Sequence, residues 1–120
     1  MASSALSARR LVRIALTNWR LGPFVDDSEL IVSELASNAV RHTHSHVIRV
    51  TVVWPDDTRV RIGVFDRSRT IPQLQYADRD HIRPNGRGLL MVDALSYRWG
   101  TDLYHWGKQV WADLRVEAPS

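Results

Sequence analysis

The segment from Leu30 to His42, LIVSELASNAVRH, has apolar residues at helical spacing and two polar residues that conflict with this pattern. Glu34 and Asn38 are four positions apart, so only about 40° of rotation about a helix axis separates them. Ile31 and Leu35 flank them, which places a carboxylate and an amide along or beside the apolar stripe. Polar groups there are costly unless they meet a partner. The segment therefore predicts either a pair at the helix edge, hydrogen-bonded to each other or to a neighbouring loop, or part of a ligand site.

Glu34 lies in the second of two helices predicted in the first 42 residues. This second helix is predicted to begin near Asp26 or Asp27 as its N-cap, since an Asp side chain accepts hydrogen bonds from the first free N–H groups. A first helix is predicted from about Ser7 to Leu21, where Gly22-Pro23 ends it. Four residues at helical spacing predict its apolar side: Leu11, Ile14, Ala15 and Trp19.

The second half of the chain is predicted to form two pairs of strands around a third helix. The strands cover residues 48–54, 60–66, about 97–102 and 108–116, and the helix covers 89–95. Alternate apolar residues mark the buried faces: Ile48, Val50, Val52 and Trp54; Val60, Ile62 and Val64; Val110, Ala112, Leu114 and Val116. Short turns between consecutive strands imply a mostly antiparallel sheet with helices on one face, an α+β two-layer sandwich.

Composition predicts one soluble domain spanning residues 1–120. The absence of cysteine excludes disulfides and Cys-ligated metal sites. Sixteen basic residues against thirteen acidic ones give a net charge of +3, but the arginines are dispersed between acids, so we expect no nucleic-acid partner. No apolar run reaches the roughly 20 residues of a membrane span, and the N-terminus lacks the apolar core of a targeting peptide. We therefore expect a cytoplasmic protein with no membrane association.

Asp66 has the same parity as the apolar residues of its strand, so it ends that strand on the core side. An acid there accepts hydrogen bonds from a buried ligand, or it begins the turn Asp66-Arg67-Ser68. Both interpretations remain open from the pattern alone. The polar segment that follows, from Arg67 to Asn85, is long for a loop in a compact domain, which predicts a functional lid or a disordered segment.

Two further patterns are chemically suggestive. Gly86-Arg87-Gly88 precedes the third helix, where exposed N–H groups and the helix dipole favour an anion such as phosphate, although a plain loop-to-helix transition has the same sequence. The Walker pattern of Gly-x-x-x-x-Gly-Lys-Ser/Thr is missing. His42, His44 and His46 alternate, as three imidazoles of a zinc site would, or as polar residues in a helix-to-strand connection.

Taken together, four ordered segments resemble the motifs of the GHKL (Bergerat-fold) ATP-binding superfamily, and most closely its small anti-sigma-factor-type serine kinases. Residues 30–42 are similar to the N box of that family, 64–72 to its G1 box, 86–95 to its G2 box and 107–114 to its closing strand. The resemblance covers nearly the whole chain in the right order. One departure lies in the G1 box, where Ser68 and Thr70 stand at positions that are glycine in the wider superfamily.

The resemblance implies a role for each motif residue in binding ATP and Mg²⁺. Asn38 would hold Mg²⁺ against the phosphates, and Asp66 would accept the exocyclic amine of adenine. Glu34 would be the general base. The remaining nucleotide-binding positions would be Arg41, Ser68, Thr70, Gly86, Arg87, Gly88 and Leu89.

The family resemblance also implies a function. We expect an ATP-dependent serine/threonine kinase of anti-sigma-factor type that phosphorylates an anti-anti-sigma partner. The alternative is an ATP-sensing or nucleotide-dead module that sequesters a sigma factor without phosphotransfer. Members of this family are often dimers, so a homodimer is a further expectation.

Overall fold

A computed structural model of the protein describes residues 2–42, 47–72 and 84–117, and the side chains of 5–41, 47–72 and 88–117. The helices are α1 (Ala2–Asn18), a short 3₁₀ helix (Gly22–Phe24), α2 (Val25–His42) and α3 (Pro84–Leu95). The strands are β1 (Arg49–Asp56), β2 (Arg59–Asp66), β3 (Arg98–Tyr104) and β4 (Gly107–Arg115). No helix within the described part of the chain is long and apolar enough to cross a membrane.

The four strands form one antiparallel sheet in the order β1-β2-β4-β3. The three helices supply apolar side chains to a single core with one face of this sheet. The predicted α+β two-layer sandwich is therefore confirmed. The sequence pattern did not reveal that β4 inserts between β2 and β3, which makes β2 and β4 the central strands.

Alternation in the central strands is confirmed by their burial. Val60, Ile62 and Val64 of β2 are fully buried, and the facing residues of β4 are also in the core. Val50, Val52 and Trp54 of the edge strand β1, and Ile48 just before it, are partly buried against that core. The last residue of β2 on this same face is Asp66, so the sheet delivers a carboxylate to the helix-covered side.

The apolar side predicted for α1 is wrong for two of its four residues. Leu11 is 43% exposed and Ile14 is 61% exposed, although Ala15 and Trp19 do pack against the core. The fully inward positions are Ala5, Ala8, Val12 and Leu16. Alanine side chains let helices approach closely but give a weak apolar signal. The predicted apolar side therefore followed Leu11 and Ile14, which are larger but exposed.

The helix starts also differ from the predicted ones. The 3₁₀ helix leads directly into α2, since the Val25 N–H donates to the Gly22 carbonyl, and Asp26 and Asp27 lie in the first turn rather than at the N-cap. Carboxylates in a first turn still interact favourably with the helix dipole. Helix α3 begins at Pro84, a residue favoured at the first helical position. Gly86 and Gly88 therefore lie within α3 and do not precede it.

The sheet face opposite the helices carries a buried acid among arginines. Asp113 on β4 is fully buried. Its Oδ1 accepts from Arg61 Nε at 2.7 Å, and its Oδ2 accepts from Arg98 Nε at 2.8 Å and Arg59 Nη1 at 3.0 Å. The Arg61 guanidinium also lies 4.0 Å from the centre of the Trp111 ring. This cluster ties β2, β4 and β3 together.

Asp113 is expected to make the fold sensitive to acid. Burial raises the pKa of this carboxyl, but hydrogen bonds from Arg61 and Arg98 outweigh burial and lower the pKa to about 2. A pKa below the unfolded value of 3.8 means that the stabilisation is present above pH 4 and is lost as the pH falls towards 2. Urea unfolding should therefore show a loss of about 2 kcal/mol from this group between pH 5 and pH 2.

The Asp113→Asn protein should lack that part of the pH dependence. The control is Asp57→Asn, which removes an exposed acid of the β1–β2 turn. Equal pH slopes for wild type and Asp113→Asn would show that the arginine cluster does not hold the carboxylate as described.

Candidate functional site

Asp66 ends β2 beside a buried lysine. Asp66 is 2% exposed and Lys108 is 0% exposed. The two residues are cross-strand partners on β2 and β4, and Lys108 Nζ donates to Asp66 Oδ1 at 2.9 Å. The same ammonium donates to the Ser68 carbonyl at 3.1 Å. The ion pair therefore lies where β2 ends and β4 begins.

Sequence reasoning missed Lys108, although a signal was available. Lys108 is the single lysine in the chain and has the parity of Val110, Ala112 and Leu114 on the apolar face of its strand. A lysine at such a position is expected to be buried with a partner or a ligand, because an isolated buried ammonium is strongly disfavoured.

The two interpretations of Asp66 turn out to be compatible. Its Oδ1 begins the turn, since the Ser68 N–H donates to it at 2.7 Å. Its Oδ2 is buried and has no hydrogen-bond partner among the described residues. Buried polar atoms are nearly always hydrogen-bonded in folded proteins. The Oδ2 atom therefore has the capacity to accept one more donor, from outside the described part of the chain or from a ligand.

The loop after Asp66 accommodates Ser68 and Thr70 without strain. The Ser68 Oγ accepts from the Thr70 N–H at 3.1 Å, which repeats the turn that Asp66 makes with Ser68. Of the described residues other than glycine, only Arg20 has a positive φ. Ser68 and Thr70 therefore do not need the left-handed conformation that would favour glycine at these positions.

Gly107 allows β4 to begin directly beside Asp66. A Cβ atom at this position would overlap the carbonyl oxygen of Asp66 and crowd the backbone of Arg67. Backbone atoms in a paired strand cannot move aside as a flexible side chain can. The absence of a side chain at 107 is therefore part of what positions the acid.

The Gly107→Ala protein is expected to be destabilised by roughly 1–3 kcal/mol, the usual range for overpacking. Chemical denaturation measures the loss. Gly22→Ala is the matched control, because a Cβ there would have nothing within 4 Å. If the two variants were equally stable, the close approach of β4 to Asp66 would be contradicted.

Glu34 and Asn38 lie on α2, the helix that packs on both β2 and α3. Asn38 is 4% exposed, and its Oδ1 accepts no hydrogen bond from the described residues. Glu34 is partly buried, and its carboxylate lies against Gly88 of α3, so closely that a Cβ at 88 would overlap Oε2. The unpartnered Asn38 oxygen disfavours the simple hydrogen-bonded pair and leaves a hard oxygen donor available.

The structure assembles the predicted residues into two groups on the helix-covered side of the sheet. One group joins Glu34 of α2 to Gly88 of α3, and the other joins Asp66 and Ser68 to Lys108. The other predicted positions are less informative. Arg41 is exposed, Leu89 is buried, and Thr70 is exposed, while Gly86 and Arg87 are described only as part of α3.

Two predictions fall largely outside the described residues. His44, His46 and the His42 side chain are among those left undescribed, and no metal-binding group of three or more His, Cys, Asp or Glu side chains occurs in the rest. Of the segment expected to be a lid, residues 67–72 form a described loop, 73–83 are outside the description, and Pro84 and Asn85 belong to α3.

A cavity lies at this end of the sheet, with Asp66 in its lining. It has a volume of about 560 Å³ and is lined by Val47, Arg49, Phe65, Asp66, Arg67 and Trp106. Phe65 alternates with Val64 and Asp66, so it faces away from the helices. Tyr104 and Trp106 stack with ring centres 5.2 Å apart beside Phe65. The Tyr104–Trp106 turn is therefore packed on the outer face.

Comparisons with known proteins identify the family. The chain matches the family model described as a histidine kinase-like ATPase domain over residues 3–111. The histidine kinase domain of the blue-light-activated histidine kinase EL346 from Erythrobacter litoralis is similar in structure, with a TM-score of 0.54 at 22% identity over 75% of this chain and 45% of that chain. Full-length ShkA in complex with AMPPNP is similar with a TM-score of 0.56 at 18% identity, over 95% of this chain and 30% of that chain.

At these identities the structural likeness concerns the fold, and this chain spans less than half the length of either matched chain. The family match, by contrast, covers most of the sequence in one continuous segment. It includes the helix of Glu34 and Asn38, the end of β2 at Asp66 and the beginning of β4 at Lys108. The chain belongs to the histidine kinase-like ATPase domain family.

Proposed function

We propose that the protein binds ATP with Mg²⁺ and acts as a cytoplasmic serine/threonine kinase of anti-sigma-factor type on an anti-anti-sigma protein. The observation that supports it most strongly concerns Asp66, the last residue of β2. Its carboxylate is buried, and Oδ2 has no hydrogen-bond partner among the described residues. The family description as an ATPase domain supports ATP as the nucleotide. The serine specificity and the partner rest on the resemblance of the sequence motifs.

The proposal gives the two unpartnered oxygens different ligands. Asp66 Oδ2 accepts a hydrogen bond from the exocyclic amine of adenine. Asn38 Oδ1, a buried carbonyl oxygen without a partner among the described residues, fits the oxygen preference of Mg²⁺. When bound, Mg²⁺ supplies positive charge that offsets the charge of the phosphates. The start of α3, with Gly86, Arg87 and Gly88, is the proposed phosphate-binding segment.

Glu34 is the proposed general base. Its carboxylate takes the proton of the partner's serine hydroxyl as the serine oxygen bonds to the γ-phosphorus. The bond from that phosphorus to the β–γ bridging oxygen breaks, and ADP leaves. The partly buried position of Glu34 against Gly88 holds the carboxylate at the boundary of α2 and α3, the two helices proposed to flank the phosphates.

Gly88→Ala tests the position of the Glu34 carboxylate. The new Cβ would overlap Glu34 Oε2, the far end of a flexible side chain, so the fold is expected to survive while the carboxylate moves. Stability should be unchanged or rise by up to ~1 kcal/mol, since Ala is a better helix former than Gly. Phosphotransfer should fall, as assayed with radiolabelled ATP and the partner. Full transfer by a folded Gly88→Ala protein would contradict the role of this contact.

A binding module is the second candidate function. Ser68 and Thr70 replace the glycines of the wider superfamily. The Ser68 N–H donates to the Asp66 carboxylate and the Thr70 N–H donates to the Ser68 hydroxyl, so the loop has its own hydrogen bonds. In this case the protein senses ATP, or binds no nucleotide, and sequesters a sigma factor without chemistry.

Phosphate transfer from γ-labelled ATP to candidate anti-anti-sigma proteins separates the two. The kinase proposal predicts Mg²⁺-dependent labelling on serine, lost in Asn38→Ala. ATP binding without labelling of any candidate would favour the sensing module. Gel filtration with light scattering, run beside the assay, tests the expected homodimer.

A further inference from the structure

The Asp66–Lys108 ion pair has a consequence for which nucleotide the site accepts, and this inference rests on the proposed function. Both side chains are completely buried. Lys108 Nζ uses two of its three N–H donors, on Asp66 Oδ1 and on the Ser68 carbonyl. No other cation contacts the Asp66 carboxylate among the described side chains. Lys108 is thus the counterion on which the charge of Asp66 depends.

A buried carboxyl group without a counterion takes up a proton, because burial disfavours its charged form and raises its pKa. A nearby ammonium has the opposite effect, since it favours the carboxylate. The arginines of the sheet are not substitutes. Arg59, Arg61 and Arg98 donate to Asp113 on the outer face. Arg49 and Arg67 line a cavity together with Asp66, but neither forms an ion pair with it among the described side chains.

The charge state of Asp66 determines which base edge it can recognise. An ionised carboxylate only accepts hydrogen bonds, whereas a protonated one also donates. Adenine presents an amine donor at its 6-position, and guanine presents a carbonyl acceptor there. The carboxylate oxygen Oδ2 therefore attracts adenine and repels guanine, and protonation of Asp66 removes this distinction.

We propose that Lys108 is a positioning residue that keeps Asp66 ionised and thereby makes the site select adenine over guanine nucleotides. Lys108 acts through Asp66 and is not itself a catalytic residue. Titratable side chains are also described on the helices, among them Glu34 and Arg41 of α2 and Asp93 of α3. Glu34 lies against Gly88, Arg41 is exposed and Asp93 accepts a hydrogen bond from Trp99 Nε1. None of the three is described in contact with the Asp66–Lys108 pair.

The test compares ATP and GTP binding by the full chain from pH 5.5 to 8.5, for wild type and Lys108→Met. Wild type is expected to prefer ATP by at least ~10-fold, with little dependence on pH. In Lys108→Met, Asp66 is expected to be protonated at the acid end, so the preference for ATP falls by about 10-fold or more there and recovers as the pH rises.

A merely structural lysine would give a different result. Lys108→Met would then weaken ATP and GTP equally, with an unchanged preference at every pH, and this outcome would overturn the inference. Asp27→Asn, an exposed change on α2, is the control for effects of buffer and charge. Absence of any nucleotide binding by wild type is a separate outcome, which would refute the proposed function and the inference with it.

A second variant keeps the inference testable if Lys108→Met does not fold. The double variant Asp66→Asn/Lys108→Met leaves no buried charge, and its amide can both donate and accept. It should bind ATP and GTP with nearly equal affinity and without pH dependence over the same range. Retention of the wild-type preference by this double variant would show that the ion pair does not select the base.

Discussion

The Glu34→Gln protein is expected to keep its fold and much of its affinity for ATP while phosphotransfer falls ~10²–10⁴-fold, the usual contribution of a general base. Gln has nearly the shape of Glu, but its neutral amide cannot take the serine proton. Since the Glu34 carboxylate already lies partly buried against Gly88, the exchange alters charge and leaves packing nearly unchanged. Single-turnover transfer of labelled phosphate to the partner measures the loss.

Two controls make this result specific to Glu34. Asp27→Asn removes an exposed acid from the same helix and should transfer phosphate at the wild-type rate. Asn38→Ala removes the proposed Mg²⁺ ligand one turn away, so metal-dependent binding and transfer should fall together. A Glu34→Gln protein that transfers phosphate as fast as wild type would remove Glu34 from the mechanism.

The Asp66→Asn protein is expected to lose both stability and nucleotide affinity. Removing one partner of a buried ion pair typically costs about 3–5 kcal/mol, because Lys108 is left buried without its counterion. Loss of the charged acceptor for the adenine amine should cost a further ~1.5–3 kcal/mol of binding free energy. Urea unfolding and equilibrium dialysis with ATP measure the two losses separately.

The double variant Asp66→Asn/Lys108→Met separates these two effects. It leaves no unpaired buried charge, so much of the stability should return, whereas ATP affinity should remain low. If Asp66→Asn alone were as stable as wild type, the buried pair would not have the energetic role described. If the stable double variant bound ATP normally, Asp66 would not be the adenine acceptor.

Much of the fold was predictable from the sequence because alternation is a strong signal in strands that are buried on one face only. The same parity rule that identified Val60, Ile62 and Val64 also placed Asp66 on the core side, where the structure has it. The buried side of helix α1 was predicted less well because its apolar signal is weak. Its contact face uses Ala5 and Ala8, whose small side chains barely register in an apolar pattern.

Features that depend on strand order were beyond the reach of local patterns. The insertion of β4 between β2 and β3 is what makes Lys108 the cross-strand neighbour of Asp66. The same arrangement collects Arg59, Arg61 and Arg98 around Asp113 from three strands. Local sequence patterns do not show which residues become neighbours across strands. The predicted site therefore lacked Lys108, although its position on the apolar face of a strand indicated a buried lysine.

The central claim is that Asp66 accepts the adenine amine in a nucleotide-binding site. Calorimetric titration of the purified protein with ATP and Mg²⁺ tests it most directly. Wild type is expected to bind ATP, and the Asp66→Asn/Lys108→Met protein is expected to bind it at least ~10-fold more weakly at neutral pH. Failure of wild type to bind ATP at millimolar concentration, or equal affinity in the two proteins, would contradict the account.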